Sequence, residues 1–316
     1  MIGAIELGLI YGVMALGVFL TFRVLNFPDL TVDGSFTTGA AVAAAMIAGG
    51  QNPAVATLAG AAAGLVAGAV TGLLHTKGRI DGLLAGILTM IALWSINLRI
   101  MGKSNIQLIR EQTLFTPLDE AGLIGSWGGI LIFFAAVFLL KLAVDWFLST
   151  DLGFAIQATG NNGPMISALG ANTDRMKILT LSLSNGFVAL SGALLAQYQG
   201  FADISMGVGL ILIGLASVIL GQAIFGGKNL MIGSFAAIFG AVLYRLIIFW
   251  ALAAGLNPND QKLITAALVV AALLLSHFGV FSRIPSFGGK TRAGATGATV
   301  PPDEPPVIAA TPKQEG

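Results

Sequence analysis

The sequence contains no cysteine. Disulfides, thiolate metal sites and cysteine nucleophiles are thereby excluded. Histidine is almost as scarce, with only His75 and His277 present, so no His-Glu-x-x-His zinc motif can form. Charge is the third shortage. Of 316 residues, 16 are Lys or Arg and 15 are Asp or Glu, 10% together, against roughly 25% in a soluble domain. So few charges cannot coat a soluble globule of this size. Disorder and coiled coil are excluded too, since both need a polar majority. A net charge of +1 leaves no electrostatic footprint for nucleic acid. No Gly-x-Ser-x-Gly elbow, Walker loop or paired carboxylates occur. The expectation is no catalytic residue, no metal, no cofactor held by this chain and no ATP hydrolysis by it alone.

What is abundant is apolar. Hydrophobic residues make up 56% and glycine 42 positions, with mean hydropathy +0.88. Small residues at that density let helices approach closely in lipid, where packing drives association. A bilayer core needs about 20 apolar residues per helix. Nine runs qualify: 2–22, 30–49, 53–74, 82–101, 128–148, 177–199, 207–226, 230–252 and 262–281. None alternates as a barrel strand would. The fold expected is therefore all-α and polytopic, with about nine spans. The run 30–49 opens on Thr31, Asp33, Ser35, Thr37 and Thr38, and 207–226 is interrupted by Gly207, Gly209, Gly214 and Gly221; both read as broken helices. The domain expected is 1–282, with a Pro-rich, disordered cytoplasmic tail over 283–316.

No basic residue precedes the first run, which carries Glu6, so it reads as an uncleaved helix rather than a signal peptide. With the N-terminus outside and nine spans, only Arg99, Lys103, Arg110 and Lys262 fall outside and Arg245 falls within a span. The other 11 of the 16 basic residues fall inside, with the C-terminus, as the positive-inside rule requires. Trp127, Trp146 and Trp250 sit near span ends as interfacial aromatics, whereas Trp94 reads as ordinary packing.

A shift of 174 residues lays the chain on itself. Phe27, Asp29, Leu9, Gly12, Ala15, Leu16 and Leu20 fall on Phe201, Asp203, Leu183, Gly186, Ala189, Leu190 and Leu194. On this topology the halves, about 1–101 and 177–282, form an inverted repeat with interrupted helices, an architecture that recurs in transporters. Asp29, Asp33 and Asp203 lie at the openings of the broken spans. They cap helix starts or, with Asn26, Phe27 and Phe201, line a solute path. Asn97, Asn185, Gln197 and Gln222 suit interhelical glue, and Arg245 requires an acidic or carbonyl partner.

The segment 149–176 faces the cytoplasm. Within it, Asn162 or Gly163 suits a cap, Pro164 a first turn and Gly170 a stop. The helix between them is about two turns, too short to be stable alone. It presents Met165, Ile166, Ala168 and Leu169, an apolar surface that suits docking of another protein or, as the alternative, folding back on the membrane surface.

The run Gly160-Asn161-Asn162, followed by a small-residue helix ending Ala168-Leu169-Gly170-Ala171-Asn172, resembles the coupling loop of bacterial ABC import permeases of the branched-chain amino acid and ribose type. Arg23-Val24-Leu25-Asn26-Phe27 resembles that family's first broken helix. The small-residue-plus-His turn usual there after Asn-Phe is replaced by Pro28 to Phe36. The stretches 30–36, 96–102 and 197–203 are similar to a tryptophan/tyrosine permease subgroup. The resemblance implies an inner-membrane permease, a homodimer, working with a cytoplasmic ATPase that binds the ATP and an extracytoplasmic solute-binding protein. An ion-gradient transporter using Asp29, Asp33 or Asp203, or a non-transporting scaffold, are the alternatives from the residues alone.

Overall fold

A computed structural model of the chain describes residues 1–226, 229–257 and 260–277; the tail expected over 283–316 lies outside them. The elements are α1 (Ile2–Phe19) running into a π-helical turn (Leu20–Val24), α2 (Thr31–Ala48), α3 (Pro53–Thr76), α4 (Gly82–Met101), β1 (Asn105–Gln107), α5 (Thr116–Glu120), α6 (Trp127–Leu148), α7 (Asp151–Ala168), α8 (Thr173–Gln199), β2 (Phe201–Asp203), α9 (Leu210–Phe225), α10 (Leu230–Ala253) and α11 (Gln261–His277). The fold is helical and polytopic. The one departure among the described residues is a two-stranded antiparallel ribbon, β1 with β2, pairing Asn105 with Asp203 and Gln107 with Phe201.

Helix ends follow their side chains. Asn52 caps α3 ahead of Pro53, Asp81 caps α4 through the amides of Leu83 and Leu84, and Asn172 caps α8 through Arg175. Gly200 ends α8 at φ +77°, a left-handed stop that a side chain would strain. Among the described residues six helices are long and apolar enough to cross a membrane: α1 with its π turn, α3, α4, α6, α8 and α10. Helix α9 has 16 residues and α11 has 17, while α2 opens on polar residues. Gly207 and Gly209 precede α9 rather than interrupt it. Gly214 and Gly221 lie inside it and face Val18 and Ala236.

Burial divides the helices into two kinds. Helix α1 is apolar on every side and buries nearly every residue from Gly8 to Leu20, as a central helix does. Helix α6 buries Phe133, Val137, Val144 and Leu148 but exposes Leu131, Leu139 and Trp146, an apolar outer face suited to lipid.

Residues offset by 174 make reciprocal contacts. The Ser184 hydroxyl donates to the Gly17 carbonyl at 2.7 Å, and the Ser191 hydroxyl donates to the Ile10 carbonyl at 2.8 Å. Ser184 is the counterpart of Ile10 and Ser191 of Gly17, so the two residue pairs exchange under one two-fold operation, with both donors on α8. Residue 10 opposes 191 and residue 17 opposes 184, so α1 and α8 run antiparallel. The same exchange relates α3 packed on α8 to α10 packed on α1, and α2 packed on α3 to α9 packed on α10.

Candidate functional site

Two interrupted helices meet at their N-terminal ends. The chain enters α2 after a left-handed residue, Asn26 at φ +54°, a conformation asparagine tolerates better than most side chains. Phe27 is buried against Gly82, with its ring edge-on to His75 at 5.0 Å. Asp29 is 3% exposed. One of its oxygens accepts the Thr31 amide at 2.9 Å, and the other accepts the Asn185 amide group at 2.6 Å. The Thr31 hydroxyl meets that of Thr71 at 2.8 Å. The start of α2 is thus tied to α8 and α3 at once.

Asp33 lies in the first turn of α2 but caps a different helix. Its two oxygens accept the amides of Gly209 and Ile211, each at 2.8 Å. These are free donors at the start of α9, where the helix dipole also favours a negative charge. A methyl group at Gly207, the counterpart of Asp33, would overlap the Asp33 carbonyl oxygen. The two-fold relation therefore passes close to this junction.

Asp203 repeats the local chemistry of Asp29 elsewhere. It accepts the Ser205 amide at 2.8 Å and the Ser205 hydroxyl, and Asn105 donates to it at 3.3 Å. Partial burial opposes its ionisation, but the bonds from Ser205 and Asn105 outweigh that and hold its carboxyl below the usual range. It sits on the ribbon with Phe201, away from the α2–α9 junction. Of the six residues expected along a path, only Asp33 and Asp29 stand at the broken-helix starts. Asn26 is exposed, and Phe27 packs against Gly82, His75 and Leu181.

Helix α7 has two halves joined at Asn162, whose backbone is non-helical (φ −154°, ψ 81°). Residues 151–161 are helix rather than loop, anchored by fully buried Ile156 and by Gly160, where a methyl would overlap the Val24 carbonyl of the π turn. Asn161 is exposed, and Asn162 accepts the Met165 amide at 3.1 Å as the cap. Pro164 falls in the first turn and Gly170 stops the helix at φ +89°. Met165 and Leu169 are 58% and 73% exposed, Ala168 is exposed, and Ile166 is half-buried.

Several polar anchors were not foreseen. Glu6 is fully buried, accepting from the Tyr198 hydroxyl at 2.7 Å and the Gly125 amide at 3.0 Å. Lys141 pairs with Asp145, which also accepts from Ser234 at 2.6 Å. Opposite charges four apart in an apolar run were the available signal. Arg245 sits over the Tyr11 ring at 4.6 Å, and its Nε has no hydrogen-bond partner. Among the described residues it is an aromatic face that meets the guanidinium.

A family profile described as branched-chain amino acid transport system, permease component, matches residues 1–274. The tyrosine transport system permease protein of Clostridioides difficile (strain R20291) is 43% identical over 272 residues, covering 86% of this chain and 90% of that one. An uncharacterized protein of Rickettsia prowazekii is 34% identical over 277 residues, 86% of this chain and 96% of that one. The ribose import permease RbsC of Escherichia coli (strain K12) is 27% identical over 280 residues, 84% of this chain and 81% of that one. No solved structure matches.

Proposed function

The chain belongs to this permease family, as a membrane-spanning transport subunit of an ABC importer and not an enzyme; from that premise we propose that its cargo is an aromatic amino acid such as tyrosine. The similarity to a tyrosine transport permease supports that cargo. Permeases of such systems work with an ATPase and a substrate-binding protein. In this reading the chain forms a homodimer in a bacterial inner membrane, with its N-terminus outside and C-terminus in the cytoplasm. All nine apolar helices cross or enter the bilayer as an inverted repeat, and the antiparallel exchange of α1 and α8 supports that arrangement. The chain itself binds no cofactor; ATP is held by the partner.

One observation carries the coupling role: the short helix after Asn162 is capped, stopped and presented with Met165 and Leu169 largely uncovered. Burying such side chains in an ATPase cleft would contribute about 1.5–3 kcal/mol each before ordering costs. Its other half rests on the π turn that leads into Asn26 and α2. Force applied at 163–170 therefore has a packed route to the broken-helix junction. Leu169→Glu is expected to abolish co-purification with the ATPase and ATP-driven tyrosine uptake in liposomes with binding protein. The melting temperature of the isolated permease should be unchanged. Intact association and uptake would remove the coupling role.

A further inference from the structure

Arg245 lies in the apolar helix α10, where a guanidinium is costly unless paired. It is half-buried, and its Nε has no hydrogen-bond partner among the described residues. The Tyr11 face beneath it is a weaker partner than a carboxylate would be. The internal repeat names that carboxylate. Helix α10 packs on α1 in the register in which α3 packs on α8. Methyls at Gly64 and Gly68 would overlap the Asn185 and Leu181 carbonyls. One at Gly12 would meet the Ile238 side chain, and one at Gly8 would stand 2.7 Å from the Val242 Cα. A shift of 174 carries Gly64 and Gly68 onto Ile238 and Val242, and Gly12 and Gly8 onto Gly186 and Ser182. The two interfaces therefore agree to within one residue of α8.

The same shift matches Asp29 with Asp203, Thr31 with Ser205, Thr71 with Arg245 and Tyr11 with Asn185. In one half the four positions meet. Asp29 accepts from the Thr31 amide and from Asn185, and the Thr31 hydroxyl meets that of Thr71. In the other half Asp203 makes the same local turn, accepting the Ser205 amide at 2.8 Å. Its second oxygen goes elsewhere, to the Asn105 amide group at 3.3 Å on the ribbon. That is a long bond from a neutral donor. Tyr11 and Arg245, which stand where Asn185 and Thr71 stand for Asp29, are stacked on each other without the acid. The two halves thus hold one arrangement in two states, fastened at Asp29 and unfastened at Asp203.

We infer that Asp203 and Arg245 are positioning residues for transport: in the opposite state of the cycle Asp203 leaves Asn105 and pairs with Arg245 beside Tyr11. This rests on the inverted repeat proposed above. The segment that must move is bounded by Gly200 at φ +77° and Gly209 at φ +84°, where the backbone turns without a side-chain clash. The exchange trades a bond from a neutral amide for a charge-assisted one. Loss of the ribbon pairing of Asn105 with Asp203 opposes it. On the proposed topology Asp29 follows the inward crossing of α1 and Asp203 the outward crossing of α8. The two carboxylates then fasten opposite faces of the membrane, and pairing of Asp203 with Arg245 closes the outer one.

The test uses the whole transporter, permease with ATPase and binding protein, in liposomes. Asp203→Cys with Arg245→Cys is treated with a short bifunctional thiosulfonate, in a chain that has no other cysteine. Cross-linking should be slow at rest and about tenfold faster or more during ATP turnover, as a shift in population requires. Asp29→Cys with Asn185→Cys should behave in the reverse way. Arg245→Gln should lower ATP-driven tyrosine uptake about tenfold while the melting temperature is kept, and Arg245→Lys should recover part of it. Asp203→Arg and Arg245→Asp should each stop uptake, and the double reversal should restore it. If the reversed proteins do not fold, the cross-link decides. Cross-linking that is absent, or equal at rest and in turnover, overturns the pair, as does full uptake by a folded Arg245→Gln protein. Impermeant labelling of single cysteines at 29 and 203 separates the readings. Labelling from one face sinks the inverted repeat, whereas labelling from opposite faces without a cross-link keeps the repeat and sinks the pair. A parent transporter that takes up no tyrosine sinks the cargo alone, since the cross-link needs only ATP.

Discussion

Asp29 and Asp33 stand four residues apart, yet the same substitution should affect them differently. At Asp33 both oxygens accept amides of α9. Asparagine keeps one acceptor and turns an NH2 toward the second amide, so Asp33→Asn should cost about 1–2 kcal/mol, read as a lower melting temperature and faster proteolysis in 204–210. At Asp29 the second oxygen meets the Asn185 amide, whose own Oδ1 is buried without a partner. In Asp29→Asn a flip of Asn185 restores an amide–amide bond but gives up its bond to the Leu181 carbonyl at 2.9 Å, so the loss should be that of one hydrogen bond, about 1 kcal/mol, and uptake should persist. Loss of uptake from a stable Asp29→Asn protein would instead favour an ion-coupled transporter. Asp203 is a pH case. Its carboxyl is held low in the folded chain, so its contribution is present above the ordinary carboxylate range and disappears as pH falls through the lowered value. Protection of the Ser205 amide from hydrogen exchange should fall at acid pH, and should not do so in Asp203→Asn. At this scale the sequence offered capping as one of two readings of these carboxylates, because an Asp followed by small polar residues has that local chemistry. It could not show that Asp33 caps a helix 176 residues away, since that donor arrives only by tertiary folding.

Among the elements, α3 shows how glycine composition becomes packing. Gly60, Gly64, Gly68 and Gly72 recur every fourth residue and form one stripe. The stripe lies mainly along α8. A methyl at Gly64 would overlap the Ala189 side chain and Asn185 carbonyl, one at Gly68 the Leu181 carbonyl, and one at Gly72 would stand 2.8 Å from the Ile178 Cα. Backbones this close gain dispersion contacts over their whole length. Gly68→Ala should therefore force the helices apart and cost about 1–3 kcal/mol, measured as detergent-resistant melting. Gly163→Ala, with open space at that point, is the control and should not destabilise. Spans such as α3 were legible because length and apolarity are written locally. The first half of α7 was not, because what holds Ile156 and Gly160 in place is the π turn of α1, distant in sequence.

For the whole molecule, the weak 174-residue match gains its meaning from the hydrogen bonds of Ser184 and Ser191. Seven identities in a chain rich in Leu, Gly and Ala carry little weight alone; the matched packing of α3 on α8 with α10 on α1, and of α2 on α3 with α9 on α10, adds to them. The two-fold axis lies across α1 and α8, which run antiparallel. If those helices span the bilayer, the axis lies in the membrane plane and the halves are inverted. The match was legible because Phe-x-Asp survives in both halves. The asymmetry was not: position 207 is glycine where position 33 is aspartate, so one half lends a cap that the other does not return. The orientation is testable without background, because the chain has no cysteine. Ser104 precedes the ribbon strand β1 and Ser167 lies in the exposed second half of α7. On the proposed topology α4 crosses outward ahead of Ser104, and the single inward crossing by α6 separates Ser104 from α7. Ser104→Cys should therefore react with an impermeant maleimide added outside intact cells, and Ser167→Cys should react only after the membrane is opened. The two would label from the same face if α6 failed to cross. They would label from the reversed faces if the distribution of Lys and Arg did not set the insertion. Either result would move the coupling helix away from the ATP and remove the means by which hydrolysis reaches the junction at Asp33.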